Sequence, residues 1–81
     1  MVTREQCRAA RGLLGWNQDD LARKARVDIV TVHQLEAGTS TPRRSTLEVI
    51  RRAFEVAGVE FIDENGGGPG VRLRKRVRKK E

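Results

Sequence analysis

The sequence has few of the residues on which several classes of protein depend. Its 81 residues include one cysteine, one histidine and no tyrosine. A single cysteine excludes an internal disulfide, and one cysteine with one histidine on different predicted helices cannot close a metal site. No apolar run is long enough for a membrane span or a secretory signal. We therefore expect a protein of a bacterial-type cytoplasm that has no membrane partner.

Features of an enzyme are also scarce. There is no pair of acidic residues in a recognisable cleft, and the stretch GGGPG at residues 66–70 lacks the lysine and the helix that follow a phosphate-binding loop. A chain of 81 residues is too short to enclose a substrate. We predict that the protein is not an enzyme and has neither catalytic residues nor a cofactor. The chain forms one small domain at most, so we expect self-association.

Positive charge is present in excess, and it is unevenly distributed. The formal net charge is +6. Residues 1–64 carry ten basic and ten acidic residues, whereas residues 65–81 carry seven basic residues and one acid, Glu81. This balance favours a nucleic-acid partner, with non-specific attraction to phosphates coming mainly from the C-terminal segment. The alternative is a solvated tail that only keeps the protein soluble.

The most informative stretch is NQDDLARKARVDIVTVHQLEAG, from Asn17 to Gly38. It predicts two short helices, the first capped by Asn17, the second capped by Asp28 and ended by Gly38, with a corner at residues 26–28. The apolar positions that would face a shared core are Leu21, Ala22, Ala25, Val32 and Leu35. Such short helices are unstable alone, so the rest of the chain must supply that core. A corner of this kind is typical of a helix-turn-helix.

A helix is predicted before this stretch. Thr3 and Gln6 form a capping-box pattern, and the apolar spacing continues to Leu14. Cys7 lies at a core position of this helix. We interpret it as a small buried hydrophobic residue rather than as a reactive thiol.

A further helix is predicted after the stretch. Ser45 and Glu48 form a second capping-box pattern, which predicts a helix that continues to Ala57. Trp16, which precedes the Asn17 cap, is expected to pack on a residue within the second helix.

The C-terminal part changes from helical periodicity to alternation. Residues 59–64 and 71–75 predict a β-hairpin, and the alternative is that everything after residue 65 is disordered. A solitary hairpin is barely stable, so this one must pack on the helices or pair with the hairpin of another subunit. We assign that contact to Phe61, Val71 and Leu73. The domain organisation is then residues 1–64, which include the start of the hairpin, and the glycine-rich turn with the basic strand or tail at residues 65–81.

The run LGWNQDDLARKARVDIVTVHQLEAGTSTP resembles the helix-turn-helix of the Cro/C1-type, or XRE-type, transcriptional regulators. The matching residues are Gln18, Leu21, Ala22, Val27, Val32, Leu35, Glu36, Gly38 and Pro42. The resemblance extends over roughly residues 3–58 and implies a mainly α fold of four to five helices, similar to that of lambda repressor. The family usually has glycine in the corner, where this chain has Arg26. A positive φ at Arg26 would cost about 1 kcal/mol relative to glycine.

The resemblance implies that the second helix of the pair enters the major groove of DNA. The positions that would contact bases are Ile29, Val30, His33 and Gln34. Gln34 can pair with adenine through two hydrogen bonds, and Ile29 and Val30 can contact thymine methyl groups. Two alternatives remain open. Ile29 and Val30 would instead cover an apolar seam between helices, and His33 would be a solvated surface imidazole.

The resemblance also implies contacts that position the protein on DNA. Candidate phosphate ligands are Asn17, Gln18, Thr39, Ser40, Arg43 and Arg44. Arg11 and Glu36 match two positions that form a partly buried ion pair in many members of the family. Without that pair both would be ordinary surface charges.

We therefore predict a sequence-specific regulator, acting as a repressor, that binds double-stranded DNA as a homodimer on a pseudo-palindromic operator. The alternative is an antitoxin or adaptor whose C-terminal segment binds a protein partner such as a toxin or a polymerase.

Overall fold

Four helices followed by two strands make up the chain. The computed structural model describes residues 1–63 and 66–74. The elements are α1 (Arg4–Leu14), α2 (Gln18–Ala25), α3 (Ile29–Ala37), α4 (Arg44–Val56), β1 (Val59–Ile62) and β2 (Gly70–Leu73). The predicted mainly helical fold with a C-terminal hairpin is confirmed. Within the described part of the chain, no helix is long and apolar enough to cross a membrane.

The predicted caps form at the first helix. The Thr3 hydroxyl accepts a hydrogen bond from the Gln6 amide, and the Thr3 amide donates to Gln6 Oε1, both at 3.0 Å. Each bond satisfies an amide that the helix leaves without a partner. α1 ends at Gly15, whose φ of 69° is the left-handed conformation that glycine adopts without strain.

The corner between α2 and α3 follows the same local rules. The Asn17 side chain accepts from the Asp20 amide at 2.7 Å, and the Asp28 side chain accepts from the Val30 amide at 2.9 Å. Arg26 adopts a φ of 59°, and no other non-glycine residue in the described ranges has a positive φ. The corner therefore has the left-handed geometry that the family usually gives to glycine, here at an arginine.

α4 begins differently from the prediction. The capping box of Ser45 and Glu48 does not form, because the helix already starts at Arg44 and its N-cap, Arg43, makes no side-chain cap. The extended backbone of Arg43 places its carbonyl where the amides of residues 46 and 47 donate to it, at 3.0 and 3.1 Å. The helix therefore begins two residues earlier than predicted, and Ser45 lies inside its first turn.

The core is built from all four helices, β1 and Val2, which lies two residues before α1. Its buried residues are Val2, Cys7, Ala10, Leu21, Ala22, Ala25, Val32, Leu35, Leu47, Ile50, Phe54 and Val59. Phe54 is the largest fully buried side chain. Its ring lies 5.6 Å from that of Trp16 and 6.0 Å from that of Phe61, centroid to centroid. Trp16 is predicted to pack on a residue of α2, but its ring stacks on that of Phe54 in α4. From α2, Lys24 Nζ lies 6.0 Å from the centroid of the indole ring.

The hairpin is fixed to the helices by a buried amide. β1 and β2 pair antiparallel, with residue 59 opposite 73 and residue 62 opposite 70. The buried Gln6 side chain donates to the carbonyls of Gly70 at 3.0 Å and Ile62 at 3.4 Å. Phe61 and Val71 pack against the core. The hairpin thus docks on the helices of its own chain, and disorder after residue 65 is wrong for residues 66–74.

Replacing Gln6 with methionine tests this anchor. We expect the free energy of unfolding to fall by about 1–3 kcal/mol, because two hairpin carbonyls lose their donor. Hydrogen exchange of the β2 amides should accelerate. The matched control is Thr3→Ala, which removes only the helix cap and should cost about 1 kcal/mol without changing the hairpin. Equal exchange rates in β2 for the two variants would contradict the role of Gln6.

Candidate nucleic-acid interface

A buried carboxylate on α3 positions the site. Glu36 is only 4% exposed and is bound by side chains from α1 and α2. Its oxygens accept from Arg11 Nε at 2.7 Å, Arg11 Nη2 at 2.8 Å, Gln18 Nε2 at 2.9 Å and Cys7 Sγ at 3.1 Å. A carboxylate offers about four lone-pair sites, so these four bonds satisfy it. The structure places Arg11 and Glu36 in the bidentate ion pair that the resemblance implied.

The protonation states follow from this arrangement. Burial on its own raises the pKa of the Glu36 carboxyl, but hydrogen bonds from Arg11, Gln18 and Cys7 outweigh it, and the pKa is lowered. The hydrogen bond to Glu36 raises the pKa of the Arg11 guanidinium. Burial and the Glu36 hydrogen bond raise the pKa of the Cys7 thiol. Cys7 is therefore a neutral donor in the core and not a nucleophile.

Two more arginines of α1 bind the C-terminal end of α3, and sequence reasoning missed both. Arg8 Nη1 donates to the carbonyl of Glu36 at 2.7 Å, and Arg4 Nη1 donates to the carbonyl of Ala37 at 3.4 Å. Cations are favourable at a helix C-terminus, where carbonyls lack partners. The sequence does carry a signal for these contacts. Arg4, Arg8 and Arg11 are spaced four and three residues apart, which places all three on one face of α1.

Gly38 makes this approach possible. Its φ of 74° is left-handed, and a Cβ built there would clash with Arg4 Nη1. The φ of Gly38 therefore favours glycine at the end of α3, whereas the flexible Arg4 side chain would have to shift to make room for a Cβ.

The opposite side of α3 is open. Val30, His33 and Gln34 are exposed, Val30 to 52%. These residues follow one another at helical spacing and form one stripe. Ile29 is half-buried and packs against the core, as expected for the alternative of an apolar seam between helices, and its contact with a base stays a prediction. It lies three residues before the fully buried Val32 and so shares part of the inner face of the helix.

Five of the six candidate phosphate ligands are exposed, and the sixth is half-buried. The exposed members are Asn17, Thr39, Ser40, Arg43 and Arg44. Gln18 differs, because it is half-buried and its side-chain amide donates to Glu36 at 2.9 Å. The Gln18 side chain therefore binds a buried carboxylate of its own chain, while the main-chain amide of Gln18 lies in the first turn of α2.

The C-terminal charges are described only in part. Arg72 Nε lies 2.7 Å from Glu60 Oε1, and Arg74 Nη1 donates to the carbonyl of Glu55 at 3.4 Å. The remaining basic residues that were predicted to attract phosphates, within residues 75–80, lie outside the described residues.

Comparison with known proteins adds one finding. A protein-family model described as "Helix-turn-helix" matches residues 8–61, two thirds of the chain. This range contains all of α2, α3 and α4, with most of α1 and the start of β1. No curated protein matches the chain.

Replacing Arg11 with methionine tests the buried ion pair. We expect the free energy of unfolding at about pH 7 to fall by roughly 3–5 kcal/mol, because the Glu36 carboxylate stays buried without its cation. Part of the loss should be recovered at a second, more acidic pH, because a carboxyl that is buried without its cation takes up a proton more readily. The wild-type protein should instead lose stability when the pH is lowered. Since the pKa of Glu36 is lowered by folding, its contribution is present above the unfolded pKa of about 4.3 and is lost as the pH falls through the folded value.

The matched control for this experiment is Arg23→Met. Arg23 pairs with Asp19 at 3.3 Å on the exposed side of α2. Exposed pairs contribute about 0–1 kcal/mol. Urea denaturation at both pH values measures the two variants. Equal losses for the two would show that the fold does not depend on the Arg11–Glu36 pair.

Proposed function

We propose, since the chain belongs to the Cro/C1-type helix-turn-helix family, that it is a sequence-specific transcriptional regulator that inserts α3 into the major groove of double-stranded DNA. The observation that carries this proposal is the open stripe of Val30, His33 and Gln34 on a helix whose other side is fixed in the core. A helix with a buried inner face and an exposed, partly apolar outer face presents a rigid surface to a partner.

The stripe has the chemistry of base recognition. The major groove, about 12 Å wide, accepts one α-helix. Gln34 can donate to N7 and accept from N6 of adenine, and Val30 can contact the methyl group of thymine. The exposed part of Ile29 adds to that apolar contact, and His33 contacts a base edge or a phosphate. The solvated-imidazole alternative for His33 predicts no such contact.

The start of α4 supports phosphate binding. Arg43 and Arg44 are exposed there, and the first turn has no side-chain cap. Basic residues are unfavourable at a helix N-terminus unless an anion lies nearby. A DNA phosphate would satisfy the free amides and the Arg43 cation and would compete with Glu48 for Arg44, with Thr39 and Ser40 as further donors. We assign the Gln18 contact to its main-chain amide, because its side chain binds Glu36.

We also propose a homodimer that acts as a repressor on a pseudo-palindromic operator. One α3 contacts few base pairs, and two copies related by symmetry multiply the discrimination. On the hairpin, Leu73 is exposed, whereas Phe61 and Val71 pack on the same chain. Leu73 and the strand edge beside it are therefore the part of the hairpin that remains for a second subunit. A repressor works where the chromosome lies, which favours a bacterial cytoplasmic, nucleoid-associated location.

Gln34→Ala tests base recognition. We expect the variant to lose about 1–3 kcal/mol of discrimination at one base pair of each half-site, because alanine cannot make the two hydrogen bonds. Binding-site selection on purified protein, followed by titration of the selected and single-mismatch duplexes, measures this. Arg44→Ala is the control and should weaken all duplexes alike. Equal weakening by Gln34→Ala would identify Gln34 as a phosphate ligand, and the absence of any preferred sequence would contradict the proposed function.

A chain that ends at Arg74 tests the charged C-terminus. It keeps both strands but removes five basic residues and one acidic residue. We expect the same preferred sequence and a shallower dependence of log affinity on log salt, by about 0.9 for each DNA phosphate that the shortened chain no longer neutralises. Titrations at several salt concentrations measure the slope. An unchanged slope would mean that these residues only solvate the protein.

A further inference from the structure

A groove of about 850 Å³ runs along the outer side of α4, apart from every residue proposed to contact DNA. Its apolar lining includes Trp16, Val49, Ala53 and Val56. The last three lie at a spacing of four and three residues and so form one stripe. Val49 is 45% exposed and Val56 is 73% exposed. Like Val30 on α3 and Leu73 on β2, these two valines are apolar side chains that the described part of the chain leaves exposed.

The rim of the groove is positively charged. Its two acidic residues are already paired, Glu55 with Arg51 at 3.0 Å and Glu48 with Arg44 at 3.7 Å. Three further basic residues line the groove, and in residues 1–63 and 66–74 they form no ion pair. They are Lys24, Arg26 and Arg52.

Arg26 adds a separate observation. Its φ of 59° is strained for any residue except glycine, and its side chain lines the groove. Strained backbone persists where the residue has a task that outweighs the strain. An arginine at this corner brings a positive charge to the groove that glycine would not.

We propose that this groove binds an amphipathic helix of another protein, with an apolar stripe flanked by acidic residues. The lining extends along α4 from Ser45 to Ala57, which at 1.5 Å per residue is about 18 Å, or three turns of a docked helix. The groove is open along its length, so it does not enclose a small ligand as concave ligand pockets do. A helix lying lengthwise covers the stripe and brings its acidic flanks to the rim.

The positive charge of the rim favours this occupant over two others, which are the C-terminal residues of the chain itself and a second copy of the chain. The chain's own residues 75–81 contain five basic residues and one acid, the same sign as the rim. A symmetric pairing of two copies through this groove would place the unpaired cations of both against each other. An acidic helix from a different protein has neither penalty.

The groove shares no lining residue with the proposed DNA contacts, and the Arg44–Glu48 ion pair joins one candidate phosphate ligand to its rim. The same molecule can therefore hold DNA through α3 and the partner helix through α4. The adaptor role and the regulator role are then two surfaces of one protein.

The test uses a synthetic helical peptide of about 15 residues, with leucines in one stripe and glutamates on both flanks. The control peptide has lysine in place of every glutamate. Trp16 lines the groove and is the only tryptophan in a chain without tyrosine, so intrinsic fluorescence reports binding directly. We expect saturable binding of the glutamate peptide, at least about tenfold tighter than that of the lysine peptide.

Two matched variants test whether the peptide binds in the groove. Val56→Asp should weaken binding of the glutamate peptide by about tenfold or more, since it places on the apolar stripe a negative charge that repels the glutamates of the peptide. Leu13→Asp makes the same change at a residue on α1 that is 41% exposed and outside the groove, and it should leave peptide affinity unchanged. Circular dichroism confirms that both variants fold, and both should keep the DNA affinity of the wild type.

Three results would overturn the proposal. These are no saturable fluorescence change with the glutamate peptide, equal affinity for the two peptides, and equal effects of Val56→Asp and Leu13→Asp. A dimer that Val56→Asp dissociates would assign the groove to a second copy of the chain and would also overturn it. None of these results bears on DNA binding by α3, which the selection experiment tests separately.

Discussion

The position of α3 depends on one buried negative charge. Withdrawing the carboxylate of Glu36 from water is costly, and four hydrogen bonds from Arg11, Gln18 and Cys7 offset that cost. Because these donors come from α1 and from the first turn of α2, the carboxylate fixes three helices relative to one another at a single point. Arg4 and Arg8 bind the adjacent carbonyls and hold the same end of the helix.

This anchoring explains how α3 can be apolar on both sides without being a core helix. Val32 and Leu35 fill the interior, while Val30 lies exposed on the outside. An exposed apolar residue gains nothing from water, so its presence beside His33 and Gln34 favours a partner that covers it. Because the inner contacts set the orientation of the helix, the exposed side chains of Val30, His33 and Gln34 remain available for the base contacts that we propose.

α4 combines three separate surfaces along its length. Its inner residues, Leu47, Ile50 and Phe54, belong to the core. Its first turn carries the uncapped amides with Arg43 and Arg44, which suit a phosphate. Its outer stripe lines the positively charged groove. The balanced charge of residues 1–64 thus conceals local differences, because several acids are held in ion pairs while Arg43 and the groove cations Lys24, Arg26 and Arg52 form none among the described residues.

The sequence by itself determined the elements whose causes are local. The caps at Thr3, Asn17 and Asp28 and the end at Gly38 were predictable, because each is set by hydrogen bonds or a backbone conformation within a few residues. The tertiary structure alone decided the hairpin anchor at Gln6, the α4 partner of Trp16, the half-burial of Ile29, the inward side chain of Gln18 and the groove on α4. Most of these depend on atoms that folding brings together from distant parts of the chain, as Gln6 and Gly70 are 64 residues apart. A periodic pattern shows which face of a helix is buried, but it does not show what that face will meet.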